Sequence, residues 1–459
     1  MSDGITLQQI DTGDNACSIE WCPVAGLESY LACSTYLLDS TKNADCTGVI
    51  QERASAVQEG SSLTARDDTT TTAAAGAPRN GNGESNEGGG AGVVQKRTGT
   101  VVVHRLSKDC IDLAAAASSP TPSGRLEPAG SASLDGGVLD AKWSEEACQN
   151  GAAVLACATS TGRLSLYSLR DLGEVGVDDA DAELRPLTTS AAQGSLLLSL
   201  DWSGGAVADA KIVVSQSNGE LGIWRLHPAG GAPIQHTSPW PAHHLKGGIP
   251  TEAWISFFRR GAGDGGRSFI VSGADDALMK GWDLRVGRAC GASPAFVCKK
   301  HDAGVTAGQW HPTREHIFVS GSYDENVRVW DARALRDPLS TTPTGGGLWR
   351  LKWHPNPARG NLLLAACMHA GVRVLNMEMG PCDTVLSGKL EAIPADLKGR
   401  SMDEEGERVL AQYTRHESMA YGADWCRLSS SLQRPRSLIA SCSFYDSLLC
   451  LWSSPPLWT

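Results

Sequence analysis

Apolar and polar residues alternate along most of this chain with the two-residue period of β-strands, and short clusters of Gly, Ser, Asp and Asn interrupt the alternation. The clearest units are FIVSGADDALMKGWD (Phe269–Asp283), HIFVSGSYDENVRVWD (His316–Asp331) and SLIASCSFYDSLLCLW (Ser437–Trp452). Each reads as a strand, a turn carrying Asp, and a second strand ending in Trp, which is a hairpin. Weaker copies are Ala153–Tyr167, Lys211–Trp224, Asn361–Asn376, and Tyr30–Leu38 with Thr100–Leu106 as its partner. A tryptophan-bearing inner strand precedes each hairpin, marked by Trp21, Trp143, Trp202, Trp254, Trp310, Trp353 and Trp425. Repetition at roughly 45 residues, with Trp-Asp at strand ends, predicts an all-β chain folded as a seven-bladed WD-repeat β-propeller. The alternating opening segment Ile5–Ile10 has no local partner and is expected to pair with the last blade, closing the ring.

The pattern also shows where blades stop. Residues 39–99 are rich in Gly, Ala, Thr, Asn and Glu and nearly free of large apolar side chains, so they are expected to form a disordered insertion in blade one. Residues 114–137 and 171–194 read as further loops. Residues 381–416, with the acidic run Asp403–Glu407, read as a surface insertion between blades six and seven. The whole of 1–459 is otherwise expected to be one propeller.

Composition narrows the function classes. A net charge of −11, with no basic run to offset it, argues against nucleic-acid binding. The fourteen cysteines contain no Cys-x-x-Cys, and Cys33, Cys157, Cys367 and Cys442 lie in apolar strands. They read as small buried hydrophobes in a reducing compartment, not as a disulfide frame or a metal site. The opening MSDGITLQQI is polar and no apolar run could span a bilayer, so a cytoplasmic protein without membrane insertion is expected.

A propeller implies no active site, so chemistry must come from loops at one end of the ring. Gly-x-Ser-x-Gly, Gly-x-x-x-x-Gly-Lys and His-Glu-x-x-His are all missing. His301, Ser320, Asp324 and Trp330 resemble a catalytic set but have a structural reading: a buried hydrogen-bond chain locking a blade, echoed by Asp276 with Trp282 and Asp446 with Trp452. Blade six departs from the repeat, because His369 stands at its turn where other blades carry Asp. Histidine suits general-base work near neutral pH. Trp254, Trp349 and Tyr421 at inner-strand starts, and Tyr323 and Tyr445 in turns, are expected to converge on one channel mouth. Asp275, Glu325 and Arg350 would join them there. Aromatic rings with carboxylates suit a cationic group, above all a quaternary ammonium; composition alone favours a protein-docking face, for which Tyr, Trp and Arg are the preferred residues.

GSYDENVRVWD, GGLWRLKWHP (Gly346–Pro355), LLLAACMHAGVRVLN, YGADW (Tyr421–Trp425), CSFYD (Cys442–Asp446) and the opening LQQIDTGDNACSIEWCP with YLACSTYLL together resemble the diphthine methylesterase family of WD-repeat proteins. The likeness is strongest over Trp254–Met377 and the final blade. It implies removal of one methyl group from methylated diphthine, a modified histidine of translation elongation factor 2, leaving a carboxylate for later amidation to diphthamide. It also makes elongation factor 2 the protein substrate; a monomer is expected, and the residues call for no cofactor and name no metal ligands. For such a reaction His369 would be the general base, Cys367 a candidate thiol and Arg350 an oxyanion partner. Trp254, Asp275, Tyr323, Trp349, Tyr421 and Tyr445 would bind substrate. These roles rest on position and chemistry. The alternative is a noncatalytic scaffold that docks elongation factor 2 or trafficking proteins.

Overall fold

The hairpin periodicity becomes seven antiparallel sheets in the computed structural model. It describes residues 2–38, 97–107, 124–146, 148, 151–171, 182–226, 235–236, 238–260, 268–285, 293–377, 408–432 and 434–457. The chain divides into two units, 1–37 with 97–459 and 38–96; the first is the propeller. The insertion expected over 39–99 lies outside the described residues, except that Arg97–Leu106 is a strand of blade one.

The inner strands, in order from blade one, are Asn15–Trp21, Val138–Trp143, Leu197–Trp202, Ile255–Phe258, Val305–Trp310, Arg350–Trp353 and Ala420–Trp425. Each pairs antiparallel with the first strand of its hairpin. Outer strands complete the blades, and several fall where loops were expected: Leu126–Leu134, Ala182–Thr189 and Val409–Tyr413. The last lies inside 381–416, so that span carries the edge of blade six and is not wholly an insertion. Leu126–Leu134 and Ala182–Thr189 escape a hydrophobic-pattern reading because few of their side chains are buried, and Val409–Tyr413 because it is only five residues long. AELRPLTT alternates weakly, is largely exposed, and has a register shift beside Pro186.

Ile5–Asp11 forms the fourth strand of blade seven, antiparallel to Leu448–Ser453, and Ser2–Asp3 runs parallel to the edge of blade six. The first residues therefore cover two open edges. Seven apolar clusters fill the gaps between consecutive blades, and one of them joins Ile19, Trp21 and Leu31 of blade one to Ala440, Cys442 and Leu451 of blade seven. No helix among the described residues is long and apolar enough to cross a membrane.

Neighbouring blades are also stapled by polar bonds near the channel. The indole N–H groups of Trp143, Trp202 and Trp425 donate to the carbonyls of Glu20, Lys142 and Lys352 on the preceding blade. In return Asp140, Asp201 and Asp424 accept the backbone N–H of Leu200, Phe258 and Trp21 on the following blade. Six blades end the inner strand in tryptophan, but blade four ends it in Phe258. Trp254, counted from sequence with the other inner-strand tryptophans, instead precedes its strand and stands at the opposite end of the channel.

Candidate functional site

What aims side chains at the channel mouth is a repeated irregularity. Five inner strands skip one residue of register near their start, at Cys17, Leu139, Leu198, Thr306 and Tyr421. Such bulges re-aim a side chain next to functional openings. In blades four and six Trp254 and Trp349 hold the corresponding place, just before Ile255–Phe258 and Arg350–Trp353. One position per blade thus surrounds the mouth, with aromatics concentrated on blades four, six and seven.

The rings meet. Trp254 and Trp349 lie 5.5 Å apart between centroids although blade five separates their blades, and Trp349 stacks on Tyr421 at 4.7 Å. Tyr323, from the blade-five turn, sits 6.3 Å from both tryptophans and closes the triangle. Tyr421 continues to Phe444 at 5.4 Å, and Phe444 to Tyr445 at 4.9 Å and Tyr36 at 6.1 Å. Phe444 and Tyr36 were not singled out from sequence; the aromatic pair in CSFYD was the available signal. Because neighbouring rings touch, a cation would lie against their outer faces rather than between them.

The acid beside this surface is Asp275, which accepts a 2.6 Å hydrogen bond from Trp254 Nε1. Gly304 keeps its neighbourhood open, since a Cβ there would come within 2.6 Å of Asp275 Oδ1 and 3.1 Å of the Tyr323 ring. Glu325, half-buried in the same turn as Tyr323, adopts a left-handed φ of 62°. Burial, and then the neighbouring Tyr445, push the Tyr421 phenol upward, and burial does the same for Tyr445. Both hydroxyls therefore stay protonated at neutral pH and can donate hydrogen bonds.

The three residues singled out for chemistry fare differently. His369 is exposed at the blade-six turn, and the carbonyl of the preceding Met368 accepts the N–H of Ala420, next to Tyr421. His369 therefore stands on the aromatic side of the rim. Arg350 lines the channel but is bound to Asp140 of blade two at 2.6 Å, a pair that spans the ring and commits the guanidinium. Cys367 is fully buried in the cluster between blades five and six, with burial pushing its thiol up to about 12. A protonated thiol inside a core presents no nucleophile to the mouth, so the chemistry expected of Cys367 does not fit its place.

The lock expected in blade five is present. His301 Nδ1 lies 3.1 Å from Asp324 Oδ2 and Nε2 lies 2.7 Å from Ser320 Oγ, which also accepts Trp330 Nε1 at 2.8 Å. Blade four repeats it through His243, Asp276, Ser272 and Trp282. Blade seven varies it: His416 bonds Ser441 and Ser443, while Asp446 takes the Glu417 N–H. Sequence alone did not supply His243 or His416. Toward the other face, the channel holds a cavity of about 660 Å³ lined by Glu20, Lys142, Asp201, Arg260 and Lys352, which ion pairs largely neutralise. The aromatic mouth offers the less committed surface. No group of three or more metal-ligating side chains occurs among the described residues.

The fold and these blade locks define a WD-repeat propeller, and residues 292–331 match the WD domain, G-beta repeat. A chain in a crystal structure of the mitotic checkpoint complex superposes with a TM-score of 0.53 at 12% identity, covering 98% of this chain and 95% of that one, a likeness of fold alone. The human protein called diphthine methyltransferase is 31% identical over 438 residues, covering 94% of this chain and 77% of its own length. The mouse protein of that name is 30% identical, covering 93% and 70%. A Dictyostelium discoideum homologue is 30% identical over 70% of this chain and 77% of its own. The chain belongs to the diphthine methyltransferase family.

Proposed function

We propose that this propeller hydrolyses the methyl ester of methylated diphthine on translation elongation factor 2, yielding diphthine for later amidation. The observation that carries the reading is the continuous aromatic surface Trp254–Tyr323–Trp349–Tyr421 with Asp275 at its edge. Diphthine carries a trimethylammonium group, and rings backed by a carboxylate attract such a cation by about 0.5–2 kcal/mol. The ester, held beside that group, would face the rim that carries His369. His369 takes a proton from water as the water oxygen attacks the carbonyl carbon. Collapse of the tetrahedral intermediate breaks the acyl–oxygen bond, and methoxide leaves as methanol with that proton. The protonated hydroxyls of Tyr421 and Tyr445 supply donors for the oxyanion. Arg350, tied to Asp140, acts through the channel wall rather than on the ester.

The relatives' name speaks of methyl transfer, whereas this reading releases methanol and needs no methyl donor. The test is methanol release when purified protein is added, without any donor, to elongation factor 2 carrying the methylated intermediate. Release at substoichiometric protein, with loss of one methylene from the substrate mass, is expected. Methyl gain that requires a donor would reverse the direction, and binding without release would make the protein a docking scaffold.

A further inference from the structure

The rim carries a second feature that the ester chemistry does not use. Between blades three and four the chain makes a small projecting hairpin: His244 pairs with Pro250, Leu245 N–H donates to Ile249 O at 2.8 Å, and Gly248 N–H donates to Leu245 O at 3.1 Å. Gly247 and Gly248 turn its tip with φ of 83° and 76°, values open to glycine at little cost. Leu245 and Ile249 nonetheless remain 44% and 59% exposed.

The stem is rigid. Ala242 and His243 N–H both donate to Gly219 O, Ala253 N–H donates to Gln216 O, and His243 is held in the blade-four lock. Lys280 Nζ donates to Ala242 O. The returning limb leads straight into the aromatic surface. Glu252 O accepts the N–H of Asp275, and two residues on Trp254 bonds the same aspartate's side chain.

The backbone beneath these two aliphatic side chains is already ordered, so covering them costs their rotamer freedom alone and the remaining apolar burial adds to affinity. A small ligand seated on Trp254 and Trp349 would not need them; a folded protein presenting its modified residue to that surface would pass over them. We infer that the hairpin 243–250 is a docking element for the protein substrate, its Leu245 and Ile249 covered by an apolar patch flanking the modified residue. The inference rests on the proposed activity for the identity of that protein.

The test compares wild type with the Leu245→Ser/Ile249→Ser double variant and with Ile249→Ser alone. The substrates are elongation factor 2 carrying the methylated intermediate and a short peptide methyl ester of the same modified residue. The expected result is a preference for protein over peptide, as the ratio of kcat/KM values, that falls about tenfold in the double variant through KM, and by less in the single one. An unchanged ratio overturns the inference. If wild type turns over neither substrate, the esterase reading fails by itself. Docking is then read from the binding of elongation factor 2, where about tenfold weakening upholds it and equal affinity overturns it. Loss of binding to phosphatidylcholine–phosphatidylserine vesicles, with affinity for elongation factor 2 intact, would overturn it in favour of a membrane contact.

Discussion

Blades five and six carry the same register through their turns, SYDENVRV against CMHAGVRV, yet the matched residues Asp324 and His369 have opposite fates. Asp324 is gripped by His301, by the N–H of Asp302 and by Arg328 at 2.7 Å. Burial alone would raise its carboxyl, but these bonds outweigh burial and hold it well below the usual carboxylate range. Blade six has Leu364 and Ala365 in the strand where blade five has Val319 and Ser320, and His369 faces solvent. One turn position is a structural bolt in one blade and a solvent-facing side chain in the next. What a repeat residue does is therefore set by whether its blade supplies partners.

Asp324→Ala leaves His301 and Arg328 buried without their acid and should cost on the order of 3–5 kcal/mol, read by chemical or thermal denaturation. A loss below about 1 kcal/mol would mean that the lock is ornamental.

Acid should loosen the ring through buried bases before it reaches the carboxylates. Burial lowers His104 and His416 to about 4 and His354 to about 3, from an ordinary 6.5. Between those limits the unfolded chain binds protons that the folded chain refuses, so stability is full above about pH 6.5 and falls as pH drops toward 4. Each group contributes up to a few kcal/mol. Asp324, depressed when folded, adds a further loss at lower pH as it is protonated. Melting temperature followed from pH 8 to pH 4 should be flat and then decline; a flat profile throughout contradicts the assignment.

His369→Ala sharpens the contrast. It should change stability by no more than roughly 0.5 kcal/mol and lower methanol turnover about a hundredfold. Wild-type turnover in that variant would remove His369 from the chemistry.

The blade count, the hairpins and the inner strands were legible because alternating or continuous apolar strands with repeated Trp-Asp endings record burial against neighbouring blades. The outer strands Ala182–Thr189 and Val409–Tyr413 were not, since the first buries little of its surface and the second is a five-residue strand at the end of a polar stretch. Trp254, Tyr323, Trp349, Tyr421 and Tyr445 were anticipated at one mouth, and their ring contacts bring them there. Trp254 belongs with them and not with the tryptophans at the far end because it precedes the blade-four inner strand, which ends in Phe258. The burial of Cys367 followed from its apolar strand and argued against its use as a thiol, whereas the Arg350–Asp140 pair was invisible, because it depends on which blades face each other across the channel.

The proposed function depends on recognition of a quaternary ammonium by the aromatic mouth. The most direct measurement is kcat/KM for the methylated diphthine peptide ester against an isostere in which a neutral tert-butyl group replaces trimethylammonium. The account predicts a preference of about two- to thirtyfold for the charged substrate, abolished in Trp349→Ala. Equal rates for the charged and neutral substrates in the wild-type protein would contradict it.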